Sequence, residues 1–329
     1  MREFEYLRAT DAGAAVAVVA ADPETSYLAG GTTQIDLMKD GVLEPARLVD
    51  ITRLPLRGVA RDGDTLRVGA LTTMEELAAD PTVAARLPIV RQALLLGASV
   101  QLRNMATIGG NLLQRTRCRY FRDPAVPDCN KRRRGTGCAA VSGGARMHAV
   151  LGASEHCIAA HASDLAVALV ALDASVRVQG PGGERSLPLT DLYLPPGDTP
   201  EVENVLVHGD LITAVDIALP PEDTLSGYLK VRDRASYEFA LASAGVELLL
   251  DGYMIRRARV ALGGVGTVPW RARAAEEVLE GARTGAEVFR AAAEAAVTDP
   301  YTVPGTEFKV ELAKRTLVRA LHTVAGVRA

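Results

Sequence analysis

Cysteine is missing from most of this chain. Of 329 residues only Cys118, Cys129, Cys138 and Cys157 are cysteine, all within one stretch of forty. That excludes a framework of spread-out disulfide staples, which a chain long enough for two or three domains with their own cores does not need. Aromatic residues are also few, 4% of an otherwise ordinary globular composition rich in Ala, Val and Leu. Charge of one sign is not in excess. The net charge of −3 leaves no global basic field to recruit nucleic acid. No run of eighteen apolar residues occurs, and the alanine- and valine-rich segment from Ala12 to Ala21 is too short to span a bilayer. The start, Met1-Arg2-Glu3-Phe4-Glu5-Tyr6, lacks the basic n-region and apolar core of a signal peptide. By its own sequence the chain is expected in the cytoplasm, with folded export in the company of a signal-bearing partner as the alternative.

The pattern along the chain is of mixed strands and helices, expected to form an α+β protein with sheets and helices in separate layers. Region 1–57 reads as helix (Ala12 to Ala20), strand (Ser26 to Ala29), glycine turn, short helix (Ile35 to Lys39, with Gly41 at C′) and strand (Arg47 to Ile51), a βαβ-like unit. Region 58–220 adds a strand at Thr65–Gly69, helices from Met74, Ile89 and Asp164, and a strand at Ser175–Gln179 before the turn Gly180-Pro181-Gly182-Gly183. Pro220-Pro221-Glu222-Asp223 is the candidate boundary. Region 221–329 opens with a strand near Gly227–Arg232. Paired strands at Ala240–Leu250 and Arg256–Leu262 follow, then helices at 272–281, 286–297 and 310–325.

Two segments carry the composition of a phosphate cradle. The first is Leu28-Ala29-Gly30-Gly31-Thr32-Thr33-Gln34-Ile35, and the second includes Thr107-Ile108-Gly109-Gly110-Asn111. Glycine lets successive backbone N–H groups face one anion, a following helix start adds its positive end, and threonine hydroxyls can donate further bonds. Neither segment is a G-x-G-x-x-G fingerprint or a P-loop, and a single Gly-Gly pair is more often a tight turn. Two such loops flanked by Thr or Asn suggest a two-phosphate ligand held from both sides.

The cysteine stretch begins just after the second loop. Its spacings, Cys118-x10-Cys129-x8-Cys138-x18-Cys157, are too wide for a C-x2-C zinc ribbon and unlike the tight ferredoxin run. Spacing leaves iron–sulfur, tetrathiolate zinc and ordinary free thiols open. The surroundings favour a negatively charged cluster. From Arg103 to Arg146 there are ten Arg or Lys residues against only Asp123 and Asp128. Gly135, Gly137, Gly143 and Gly144 supply backbone freedom for wrapping it. The run Lys131-Arg132-Arg133-Arg134 is otherwise expected to be a solvated loop or a docking patch. His148, His156 and His161 lie close by and are taken as structural.

Ala29-Gly30-Gly31-Thr32, Arg103-Asn104-x-Ala-Thr107-Ile108-Gly109-Gly110-Asn111, Ser163-Asp164-Leu165 and Leu229-Lys230-Val231-Arg232 together resemble the FAD-binding subunit of the molybdenum hydroxylases. That group includes xanthine dehydrogenases, carbon monoxide dehydrogenases and aldehyde oxidoreductases, and the resemblance runs over nearly the whole chain. The cysteine insertion is similar to that of the subgroup with a [4Fe–4S] cluster. In that subgroup the chain looks most like the flavin subunit of the bacterial periplasmic aldehyde oxidoreductase; 4-hydroxybenzoyl-CoA reductase is another member. The resemblance implies a two-subdomain FAD-binding fold of the vanillyl-alcohol-oxidase-like (PCMH) kind. Its parts are residues 1–57 and 58–220, with the Fe–S insertion at about 115–160. A C-terminal α+β domain with a small antiparallel sheet and helices, like that of carbon monoxide dehydrogenase flavoproteins, follows over 221–329. Leu28 to Ile35 and Thr107 to Asn111 would hold the FAD diphosphate, Asp164, Ile212 and Lys230 would line the rest, and the four cysteines would ligate the cluster. From the residues alone, Asp164 is equally a helix N-cap and Lys230 a surface strand residue. The first loop holds no His or Cys, so FAD is expected without a covalent link. The chain departs from xanthine dehydrogenases at Gly97, where they place an aromatic near the flavin ring.

The resemblance further implies an electron-transfer subunit of a heterotrimeric oxidoreductase with no substrate-oxidising residues of its own. A molybdenum-cofactor subunit would oxidise the substrate, most simply an aldehyde. A [2Fe–2S] subunit would pass the electrons on, and FAD would hand them to an external acceptor. Two rivals are a self-sufficient FAD oxidase, disfavoured by the short C-terminal region, and a zinc-binding interaction protein.

Overall fold

The computed structural model describes residues 1–327; the last two residues of the region 221–329 lie outside it. Three sheets organise it. The first is parallel, built from β1 (Glu5–Arg8), α1 (Ala12–Ala20), β2 (Thr25–Leu28), α2 (Gln34–Lys39) and β3 (Arg47–Asp50), with strand order β1-β3-β2. Asp11 caps α1 by accepting from Ala14 N–H at 2.8 Å. Gly41, with φ +71°, ends the turn after α2. The expected βαβ unit has one strand more than the sequence pattern suggested. β1 is an edge strand with every residue exposed, so it carries no apolar alternation.

The second sheet is antiparallel, order β4-β5-β8-β6-β7. After β4 (Val59–Asp62) and β5 (Thr65–Gly69) the chain runs through α3 (Met74–Ala79), α4 (Pro81–Arg86), α5 (Pro88–Leu96), α6 (Val100–Arg103) and α7 (Ile108–Leu112). α3 starts in a full capping box between Thr73 and Glu76. α8 (Arg119–Arg122) and α9 (Ala139–Ser142) belong to the cysteine stretch, and α10 (Asp164–Ala171) returns the chain to the sheet. β6 (Ser175–Gly180) and β7 (Gly183–Pro188) form a hairpin, and β8 (Leu211–Ala218) pairs with both β5 and β6. β7 is almost wholly exposed and polar, which hides it from a hydrophobic pattern. From Leu165 to Ala171 every residue of α10 is apolar and buried, so this helix lies within the main core, packed against α5, β10 and β11.

The third sheet, order β12-β11-β10-β9, is antiparallel: β9 (Thr224–Val231), β10 (Ala242–Asp251), β11 (Met254–Gly263) and β12 (Trp270–Arg271). Its apolar face is covered by α11 (Arg273–Leu279), α12 (Ala286–Ala296) and α13 (Phe308–Ala325). Among the described residues no helix is long and apolar enough to cross a membrane.

Candidate functional site: two glycine loops and a cysteine pocket

The first glycine segment lies between the end of β2 and the start of α2, and the second forms the N-terminal turn of α7. The fold brings them together. A methyl group built on Gly30 would stand 1.9 Å from the backbone oxygen of Met105 and 2.8 Å from its carbonyl carbon. Only a residue without a side chain lets the first loop press on the backbone that leads into the second. Gly109 approaches Ala70 in the same way, its missing methyl falling 3.0 Å from Ala70 Cβ. In the second loop Thr107 Oγ1 caps α7 by accepting from Gly110 N–H at 3.3 Å.

These loops form one wall of a cleft of about 670 Å³. Its lining includes Ala29, Gly30, Gly31, Thr32, Thr33 and Gln34 of the first loop, Thr107, Gly109 and Gly110 of the second, and Ile212 of β8. Leu28, Ile35, Ile108 and Asn111 stand behind this lining. Asn111 Oδ1 accepts from Ser163 Oγ at 2.5 Å, tying the second loop to the start of α10. Asp164 and Lys230 are also outside the lining. They pair with each other at 2.7 Å, with side chains 10% and 1% exposed. Burial pushes the Asp164 carboxyl up and Lys230 pulls it back. Tyr228 Oη sits 2.7 Å from Asp164 and 2.8 Å from Ser243 Oγ, and Lys230 Nζ donates to Leu96 O at 3.1 Å. Lys230 is thus no surface residue, and the cap of α10 is Ser163, which accepts from Ala166 N–H at 2.9 Å. Gly97 caps α5, and its carbonyl accepts from Arg103 Nη1 at 3.2 Å.

The cleft has walls the sequence did not announce. Tyr193 lies edge-on to His161 with ring centroids 4.7 Å apart, and its hydroxyl donates to Leu112 O at 3.1 Å. Burial holds His161 near pKa 4, so its imidazole is neutral. Glu203 also faces the cleft, with Arg115 at 2.5 Å and Lys131 at 3.0 Å. Burial would raise its carboxyl, but those two cations keep it below the ordinary glutamate range. A tyrosine in an irregular loop and a glutamate eighty-eight residues from its arginine carry no local signal.

All four cysteines, free of disulfides, line a second, small pocket. Cys129 and Cys138 face each other across an antiparallel bridge closed by Asn130 N–H donating to Gly137 O at 2.7 Å. Gly135 and Gly137, at φ +81° and +98°, make the turn between them. Cys157 enters from the Ser154–Cys157 bridge and Cys118 from the start of α8. Burial pushes the Cys118 thiol up to about 12 against the pull of the Phe121 and Tyr120 N–H groups; burial raises Cys157 as well, opposed by Lys131. Among the described residues no three His, Cys, Asp or Glu side chains are gathered closely enough to hold one metal ion.

The cations of this stretch are not a solvated patch throughout. Arg132 turns inward and its guanidinium donates to the carbonyls of Tyr120, Phe121 (2.7 Å), Asp123 (2.9 Å) and Val126, clasping the loop from within. Arg117 and Arg122 pair with Asp36 of α2 at 2.9 and 2.6 Å, which docks the cysteine stretch on the helix after the first glycine loop. Arg133 and Arg134 alone of the run are exposed. The two pockets share a wall: Lys131, Cys157 and Ala159 line both.

Comparison with known proteins agrees with this arrangement. Residues 2–220 match the FAD binding domain in molybdopterin dehydrogenase, and residues 227–324 the carbon monoxide dehydrogenase flavoprotein C-terminal domain. The chain is 45% identical to the aldehyde oxidoreductase FAD-binding subunit PaoB of Escherichia coli K12, over 98% of each chain. This is a FAD-binding subunit of the molybdenum hydroxylase family. More distant members include the carbon monoxide dehydrogenase medium chain of Hydrogenophaga pseudoflava, 28% identical over 97% of this chain and 96% of that one. Among solved structures, carbon monoxide dehydrogenase from the same organism superposes with a TM-score of 0.78 at 26% identity, covering 100% of this chain and 99% of the other. Reconstituted carbon monoxide dehydrogenase from Oligotropha carboxidovorans gives 0.78 at 27%, covering 100% of both chains. The family membership makes the chain an oxidoreductase subunit, and the fold expected of it, an FAD-binding domain followed by the flavoprotein C-terminal domain, is the one observed.

Proposed function

We propose that this chain is the electron-output subunit of a heterotrimeric aldehyde-oxidising molybdenum enzyme. It would take electrons from [2Fe–2S] clusters of a partner subunit and deliver them through FAD and a [4Fe–4S] cluster to an external acceptor. The observation that carries this reading is the shared wall. The cleft bounded by both glycine loops and the pocket lined by four cysteines meet at Lys131, Cys157 and Ala159. A structural metal would need no such adjacency to a nucleotide cleft, whereas a relay does.

The residues suit both groups. Gly30 to Gln34 would offer backbone N–H groups and hydroxyls to a diphosphate, with the loops held together at the bare Cα of Gly30. In Thr107 to Asn111 the N–H groups of Ile108, Gly109, Gly110 and Asn111 are spent on Thr72 O, Ala70 O, Thr107 Oγ1 and Thr107 O. This loop would contribute the Thr107 hydroxyl and close backbone approach at its glycines. Ile212 adds an apolar face from β8. Asp164 and Lys230 hold α10 against β9 and so position the second loop through Ser163 and Asn111. FAD would be bound without a covalent link, and it would supply exchange of one or two electrons, with the cluster exchanging one. Cys118, Cys129, Cys138 and Cys157 would be the cluster's ligands. A single tetrahedral zinc with bonds of ~2.3 Å needs its sulfurs about 3.8 Å apart. A cubane would take four thiolates around one site, and all four cysteines line one pocket. Lys131 adds positive charge beside Cys157, which favours thiolate there. We place the domain boundaries at 57/58, between β3 and β4, and at 220/221, between β8 and β9, with the insertion at about 115–160. The aldehyde substrate is inferred from the 45% identical relative, an aldehyde oxidoreductase subunit.

Anaerobic purification with flavin and metal analysis, and EPR after dithionite, tests the reading. FAD with about four irons and a reduced-cluster signal is expected. FAD without iron would remove the cluster from the proposal. Folded protein without flavin would remove the electron-transfer role.

A further inference from the structure

Beside the cysteine pocket, and outside its lining, one buried side chain aims at a cysteine sulfur. His148 is 4% exposed, and its Nε2 lies 3.2 Å from Cys118 Sγ. Its other ring nitrogen, Nδ1, is buried with no partner among the described residues. Of the two ring nitrogens, only Nε2 has a group to bond. The proton on Nε2 makes a bond to sulfur; on Nδ1 it would make none, at the cost of an unpaired buried donor. The tautomer is therefore the one that donates to Cys118.

The position of the ring is enforced from behind. His148 N–H donates to Ala145 O at 2.9 Å. Its carbonyl accepts from Lys309 Nζ at 2.7 Å, and the same ammonium donates to Gly264 O at 2.6 Å. Lys309 is fully buried in the first turn of α13, so the C-terminal domain reaches in to hold the backbone of a residue that faces the cysteine pocket. A lysine buried on two carbonyls is costly unless the geometry it enforces is worth keeping.

We propose that His148 is a positioning residue for the iron–sulfur cluster, fixing Cys118 by an Nε2–H···Sγ hydrogen bond and raising the cluster's reduction potential. This rests on the cluster reading given above. Reduction adds one electron, and so one negative charge, to a group already carrying thiolate charge. A donor aimed at a ligating sulfur stabilises the reduced form more than the oxidised form.

The test is an EPR-monitored redox titration of the full chain in its complex, comparing wild type, His148→Leu and His148→Gln, with iron and FAD counted in each. His148→Leu should keep iron and FAD and move the cluster midpoint to lower potential while the FAD midpoint stays. His148→Gln, which keeps an N–H donor, should restore part of the shift. Wild-type midpoints in both iron-replete variants would overturn the inference, as would equal shifts of cluster and FAD, which would mark a general structural change. Loss of iron from both variants would overturn it in favour of a ligand or folding role. A wild-type chain without iron would instead overturn the cluster reading itself, and this inference with it.

Discussion

Gly30 shows how one missing atom sets up a binding site. A Cβ at that position would meet the carbonyl of Met105 at 1.9 Å, and that contact is backbone, so neither partner can rotate away. We expect Gly30→Ala to force the two glycine loops apart. The cost should be about 1–3 kcal/mol of stability, as for other overpacked sites, with at least a tenfold loss of FAD retention. Gly182→Ala, in the β6–β7 turn with open space around it, should change neither. The flavin-to-protein ratio after gel filtration and the thermal unfolding midpoint of both variants check this. A Gly30→Ala protein with full FAD content would show that the loops tolerate separation. The glycines were visible in the sequence, but not that one of them is needed for loop-to-loop approach and not only for turning.

At the scale of elements, α10 is the joint of the molecule. Its apolar body fills the main core, and Asp164 at its start reaches across to Lys230 on β9 of the C-terminal sheet. Removing one partner of a buried pair leaves an uncompensated charge, typically at a cost of 3–5 kcal/mol, whereas removing both can be nearly neutral. Lys230→Met should therefore be strongly destabilising, and Asp164→Asn combined with Lys230→Met should recover much of that loss. Denaturant unfolding of the two singles and the double measures the coupling; a loss under about 1 kcal/mol for Lys230→Met would put the pair in the class of exposed ion pairs. FAD content of the same proteins separates two roles. Unchanged flavin would confine the pair to joining α10 and β9, and flavin loss would assign it to the cofactor site.

At the scale of the whole molecule, the cleft draws its two glycine loops from different sheets, the first from the parallel sheet and the second from the helices of the antiparallel one. A ligand bound across both holds them in register and stabilises the native state by mass action, about 2.7 kcal/mol at a hundredfold excess over Kd. Protein stripped of FAD should melt at lower temperature, and added FAD should raise the midpoint in a concentration-dependent way. Calorimetry on the stripped chain checks it. A midpoint indifferent to FAD would mean that the cleft does not bind it in the folded state.

Local chemistry was enough to reveal the glycine loops, the cysteine stretch, the paired strands of the C-terminal sheet and most of the helices. Backbone freedom at glycine, capping at Thr73, and apolar periodicity act over a few residues and leave their mark there, although the cap read at Asp164 falls one residue earlier, at Ser163. The strands β1 and β7 left none, because exposed edge strands bury nothing that would print a pattern. What only the tertiary structure decided is which groups face which. Lys131 and Arg132 turn inward where a run of four cations suggested solvent, and Asp164 meets Lys230 without lining the cleft. Cys157 stands between the two pockets and His148 on Cys118. Those choices depend on packing between segments tens to more than a hundred residues apart, where the cost of burying an unpaired charge or donor selects the partner, and no window of sequence contains both sides of that balance.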